Sequence, residues 1–215
     1  MNSNNNLFFK DNSLKIKQEP FAEIVEGCLD NFLAQSWKWD KFPDFGSLVE
    51  VVGKEITTVG CVCHVQTGSL DPVRYPFPYQ KTEEELLQEQ PQIFEFLKTI
   101  FKVQILGYKN SLINDDKFFY LLPSKPCKIH SFVQNVSSDT SNTFFQSADF
   151  LNILFSFANQ IPNLDELLLA IIRNLAQSQS LSEKFLDDFS QQFSLHTGND
   201  YRRLKLFLRR VEALV

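Results

Sequence analysis

The side chains here with a capacity for chemistry are few: three histidines, four cysteines and a basic run near the C-terminus. Cys61, Cys63 and His64 lie together. Structural zinc usually draws on two Cys or His pairs at short spacing. One tight pair is present, and its spacing of two puts both thiols on one face of a strand. The pair reads as two small hydrophobes entering a core. His64 is expected on the opposite face, and His130 and His196 read as isolated polar residues. No metal site is expected.

Phosphate and nucleophile chemistry fare no better. A phosphate loop needs Gly, four residues, then Gly-Lys-Ser/Thr, so that backbone N–H groups wrap the phosphates. In GSLVEVVGKE, Gly46 and Gly53 are seven apart, and Glu55 follows Lys54 where a hydroxyl should meet magnesium. No Gly-x-Gly-x-x-Gly and no Gly-x-Ser-x-Gly supports a dinucleotide site or a nucleophile elbow. The acidic run Glu83-Glu84-Glu85 suits a helix N-terminus. Asp115-Asp116 belongs to a turn and Asp187-Asp188 to a solvated helix face. The expectation is a non-enzyme without cofactor.

Two stretches suggest recognition instead. In YRRLKLFLRRVEALV, Arg202, Lys205 and Arg209 fall on one helical flank and Arg203 and Arg210 on the other. All five are expected opposite a stripe of Leu204, Phe207, Leu208, Val211 and Val215, with Leu206 between the flanks. Such a face is either a solvated helix surface or a dock for an acidic partner or a phosphate backbone. The second stretch is GSLDPVRYPFPYQ, an extended loop with three prolines. Its Tyr75, Phe77 and Tyr79 are candidate contact anchors.

Composition sets the frame for these sites. The chain has 215 residues, 43% hydrophobic and 22% charged, enough for one large domain or two small ones. A net charge of −5 excludes a whole-protein basic field for nucleic acid. The N-terminus has no apolar h-region, and no run is long enough to span a bilayer. The cysteine spacing is not a secreted disulfide framework. The expected compartment is reducing, cytoplasm or plastid stroma. The stroma enters because frequent Lys, Asn, Phe and Ile suggest an AT-rich genome.

The elements that must position the candidates divide the chain. Residues 1–19 read as a polar, flexible arm. Residues 20–136 read as a small antiparallel β-barrel. FAEIVEGCLDNFLAQSW gives one or two strands, SLVEVVG another, and EITTVGCVCHVQT a third, with Val59, Cys61, Cys63 and Val65 on one face. Thr82 and Glu85 form a capping-box signature for a short helix. KVQILGY, KFFYLLP and the closing CKIHSFVQNV complete the strands. SSDTSNT at 137–143 reads as a linker. Residues 144–215 then carry apolar spacing of 3.6, giving a bundle of about four short helices that packs on itself or on the barrel. Asn163 with Glu166 and Ser180 with Glu183 mark two of the starts. The fold class is α+β.

Residues 21–136 resemble a HAS-barrel domain, the small barrel of HerA-type DNA-translocating ATPases and of ATP synthase α and β subunits. The carrying segments are FAEIVEGCLDNFLAQ, FGSLVEVV, TTVGCVCHVQTG, the insertion DPVRYPFPYQKTEEELLQEQPQIFEFLKTIFKVQILGY and the exit YLLPSKPCKIHSFV. With its helical tail, the whole chain resembles stand-alone HAS-barrel proteins of cyanobacteria and related plastids. The resemblance implies a partner-contacting collar, and it implies as partner a HerA-type ATPase or a NurA-type nuclease. No ATPase core follows the barrel, so motor function would have to be supplied in trans or be absent. The leading expectation is a non-catalytic interaction or adaptor module. The alternative is a nucleic-acid-binding protein using an OB-like barrel face and the basic last helix.

Overall fold

The computed structural model describes residues 18–71, 73, 75–112 and 117–214. Nearly all of the expected arm at 1–19, the Asp115-Asp116 turn and Val215 lie outside the described residues. Among the described residues, the N-terminal half forms seven strands: β1 (Ala22–Gly27), β2 (Asn31–Ser36), β3 (Leu48–Val52), β4 (Ile56–Ser69), β5 (Leu97–Asn110), β6 (Phe118–Phe119) and β7 (Phe132–Asn135). Their order is β2-β1-β7-β3-β4-β5-β6, and β2 also pairs with β5. That pairing closes β1, β2, β3, β4, β5 and β7 into a six-stranded antiparallel barrel, with β6 attached to β5 beside it. Closure pairs the strand edges that an open sheet would leave free.

Alternation along the strands fills the barrel with apolar side chains, mostly β-branched or small, with two phenylalanines among them. Ile24, Phe32, Ala34, Val49, Val51, Phe101, Val103, Ile105 and Val133 share its interior. Bulges interrupt that alternation. The β4–β5 register shifts between Val62 and His64, so that Val62 and Val65 both pack into the barrel while Cys63 does not. The expected common face of Val59, Cys61, Cys63 and Val65 therefore ends at Cys63. The same bulge leaves His64 exposed instead of facing the interior.

Between β4 and β5 lies α1 (Glu83–Glu89), followed by a short 3-10 helix over Pro91–Phe96. The expected capping box is present: Thr82 Oγ1 accepts from the Glu85 N–H, and Glu85 Oε2 accepts from the Thr82 N–H. Neither helix buries a residue. The insertion is pinned by Phe94, which stacks on Trp39 at 5.6 Å between ring centroids.

The C-terminal half contains α2 (Ser138–Phe144), α3 (Phe150–Ser156), α4 (Leu164–Gln177), α5 (Glu183–His196) and α6 (Tyr201–Glu212). Two local expectations are corrected. The Ser/Thr/Asn stretch is helical from Ser138 onward, because Ser137 Oγ caps the Thr140 N–H at 3.2 Å and Phe144 at the far end is fully buried. Helix α5 starts after Ser182, whose Oγ accepts from the Phe185 N–H at 3.1 Å. Ser180 instead finishes α4. Gln179 takes a positive φ of 55°, and the Ser180 N–H returns to the Leu175 carbonyl at 2.9 Å, a Schellman-type end. Asn163 caps α4 through the Glu166 N–H as expected.

The helices take the second of the two expected arrangements. They pack on the outer wall of the barrel, against Leu48 of β3, Val59, Cys61 and Cys63 of β4, Leu106 of β5 and Phe118 of β6. Gly46 enforces the contact. It has φ +81°, and a Cβ there would come within 2.6 Å of the Ala170 Cβ on α4. The Asn174 side-chain amide also donates to the Phe45 carbonyl at 3.2 Å.

Candidate interaction surfaces

The thiols that suggested chemistry are packing residues. Cys61 and Cys63 are buried under the helices, and desolvation there pushes both thiols above their ordinary value. The thiolate is the nucleophile and the metal ligand, so burial makes these groups inert. No group of three His, Cys, Asp or Glu among the described residues is placed to hold a metal ion. His130 bonds Glu23 through Nδ1 at 2.5 Å. His196 stacks on Phe155 at 4.7 Å and bonds Asn152 Oδ1 at 3.0 Å.

Helix α6 begins where Asp200 Oδ1 caps the Arg203 N–H at 3.0 Å. It buries Phe207 and Val211 and half-buries Leu204 and Leu208. Its five cations do not form one outward face. Arg203 turns back onto α4, where its Nη2 donates to Asp165 Oδ1 at 2.7 Å and its guanidinium lies 5.6 Å from the centre of the Phe193 ring. Arg210 donates to Glu166 Oε1 at 2.6 Å. The physical reason is the acidic first turn of α4, which faces that flank of α6 and draws the two guanidinium groups down. Arg202, Lys205 and Arg209 stay exposed and make no ion pair with a described residue. Leu206, 53% exposed, sits beside them at the edge of a groove of about 430 Å³ that Asp165, Asp200 and Arg202 also line.

The proline-rich tract is just as open. Tyr75 is 91% exposed, Phe77 70% and Tyr79 36%, and Phe77 meets Tyr79 edge-on at 5.5 Å. Leu70 and Val73 are exposed too. The tract hangs from the far end of the long β4–β5 hairpin, where the Leu70 N–H donates to the Phe96 carbonyl at 2.8 Å.

A third surface has no counterpart in the sequence reading. A cleft of about 370 Å³ opens where the β2–β3 connection, α2 and α4 meet. Leu48, Ile171 and Leu175 floor it, and Asp44, Asn135 and Ser141 stand around it. These residues come from distant segments with no motif in common, so no local signal could have joined them. The structure keeps α6 and the Tyr75–Tyr79 tract as separate surfaces and divides the five α6 cations into two that are ion-paired and three with no ion pair among the described residues. No protein-family model matches the chain, and no curated protein matches it.

Proposed function

We propose that this chain is a non-catalytic protein-interaction module that docks an acidic partner on α6. The observation that carries the reading is the division of labour on that helix. Arg203 and Arg210 fasten it to Asp165 and Glu166, and Arg202, Lys205 and Arg209 stand exposed around Leu206 with no ion pair among the described residues. A local positive strip on a chain of net charge −5 is a steering device for a negatively charged partner. Leu206 adds the apolar contact that bare phosphate recognition does not require.

Phosphate binding at α6 is the weaker reading, because each neutralised cation removes one phosphate contact. The barrel's kinship to HAS-barrel domains stays part of the proposal, supported by the small closed antiparallel ring followed by helices. A ring ATPase or a nuclease acting in trans is then the first partner to try.

The test is affinity capture from native extract with the wild-type protein and with Arg202→Glu/Arg209→Glu, followed by mass spectrometry. Specific proteins retained by the wild type and lost by the folded variant are expected. Identical capture by both overturns the reading. Binding of a labelled single-stranded oligonucleotide that weakens steeply with added salt and needs Arg202 and Arg209 replaces it with the nucleic-acid alternative.

A further inference from the structure

The barrel is closed for only part of the length of β4. Strand β3 pairs with β4 over Thr57–Cys61, and the Gly46 N–H and Ser47 carbonyl complete that edge at Val62. Beyond this point β4 continues to Ser69 with β5 as its only described partner. From His64 to Ser69 its outer edge therefore meets no backbone group of a described residue. The strand is solvated along this stretch, where His64, Gln66 and Thr67 are exposed. Free edges are normally blunted by charged residues, proline or a bulge. His64-Val65-Gln66-Thr67-Gly68-Ser69 contains no Lys, Arg, Asp, Glu or Pro, and its bulge lies at one end, beside Cys63.

We propose that two copies of the chain pair these β4 edges antiparallel about Gln66, in a two-fold dimer. This does not rest on the α6 reading. A two-fold contact must be complementary to itself. Centred on Gln66, the register sets Val65 opposite Thr67, His64 opposite Gly68 and Cys63 opposite Ser69, with no like charges facing each other. Pairing ends there, because the next residue, Val62, already has Gly46 and Ser47 on that edge. Each chain leaving Ser69 is thereby directed over the other copy's Asp44–Ser47 turn, beside its exposed Phe42.

The tract so delivered is the exposed apolar run Leu70, Val73, Tyr75, Phe77 and Tyr79. A buried aromatic side chain contributes about 150–250 Å². Tyr75 and Phe77 together therefore supply about 300 Å² or more, and Leu70, Val73 and the paired edge bring each copy toward the roughly 800 Å² of a stable interface. Six strand residues alone fall short of that area, which is why the tract belongs to the contact. One occupant accounts for both the uncharged edge and the exposed aromatics.

Sedimentation velocity over a range of protein concentrations tests this on the full chain, with cysteine cross-linking to fix the register. A reversible dimer is expected. Gln66→Cys should cross-link to itself under mild oxidation beyond the level of the wild type. His64→Cys should not, since four residues separate it from its opposite number across the axis. Gln66→Lys sets two like charges on the axis, and Tyr75→Ser/Phe77→Ser removes the anchors. Each should weaken the dimer at least tenfold with an unchanged melting temperature, and Arg202→Glu/Arg209→Glu should leave it intact. A wild type that is monomeric throughout overturns the proposal and leaves the edge to a strand from another protein. Equal cross-linking at residues 64 and 66, a dimer indifferent to both the lysine and the serine variants, or a dimer lost on reversing α6 also overturns it.

Discussion

The barrel interior and the helical core solve the same problem with different residues. The barrel is filled by β-branched and small side chains, with Phe32 and Phe101 as its buried phenylalanines. The helical core instead runs on a ladder of rings: Phe145, Phe150, Phe185, Phe189, Phe193 and Phe207, with neighbouring centroids 4.8–6.4 Å apart. A closed ring of strands encloses a narrow space, and backbone pairing already specifies its geometry. Short helices on a curved wall leave wide gaps, and only large side chains fill them. The barrel is thus the scaffold, and the helices are a layer that needs it.

Cutting the chain probes that dependence with the largest effect. Residues 137–215 alone lack the wall of Leu48, Val59, Cys61, Cys63, Leu106 and Phe118 that floors their core. The fragment should show no cooperative thermal transition by circular dichroism, while residues 18–136 should keep β-sheet signal. A cooperatively melting 137–215 fragment would make the helices an independent domain.

Within the intact protein, the ladder should cost more to break than the barrel filling. Phe193→Ala or Phe207→Ala should lose about 3–5 kcal/mol in urea unfolding, and Ile105→Val only about 0.5–1.5 kcal/mol. Equal losses would erase the contrast between the cores.

Alkali should sharpen the contrast further, because Cys61, Cys63 and Tyr120 border the helical layer, while Cys127, also raised by burial, packs against the barrel filling. Burial pushes the Cys61 and Cys63 thiols above 9.0 and the Tyr120 hydroxyl up to about 12 from 10.0. Their folded forms stay protonated where the unfolded chain ionises. The stability they contribute is therefore fully present below pH 9 and is lost as the pH rises beyond it, with Tyr120 adding to the fall from pH 10 to about 12. The urea midpoint should decline above pH 9, and Cys61→Ala should flatten the first part of that decline. A flat midpoint across that range would remove these groups from the balance.

The smallest effects separate the two kinds of arginine on α6. Arg203→Ala loses the Asp165 pair and the contact over Phe193, for about 1 kcal/mol. Arg202→Glu/Arg209→Glu should leave the melting temperature unchanged. If Arg203→Ala is equally silent, all five cations are solvated alike.

Much of the fold was legible locally. Period-two runs marked the strands, Thr82 with Glu85 announced α1, and Asn163 announced α4, because these signals act over three or four residues. The misreadings share one cause. Ser137–Thr143 has a loop composition, yet burial of Phe144 on the barrel wall makes it helical from Ser138 onward. Ser180 looked like a cap because the Schellman end of α4, which uses it first, leaves no mark in the residue types. Val65 left its expected face because a bulge against β5 depends on the partner strand. On α6 the stripe of Phe207 and Val211 was visible, but the capture of Arg203 and Arg210 was not, since Asp165 and Glu166 lie some forty residues away.

What the sequence determined by itself was therefore the periodicity: which residues turn toward a core, where most helices start, and that a basic helix and an aromatic, proline-rich tract exist. Those properties follow from side-chain spacing along a regular backbone. Tertiary structure decided where the two cores meet, which of the cations are ion-paired, and that β4 outruns its neighbour β3 to leave Gln66 on an open edge. Each of these depends on which distant segment arrives alongside. A chain of residues carries no local signal for a neighbour that only closure of the barrel, and packing of the helices on its wall, brings into contact.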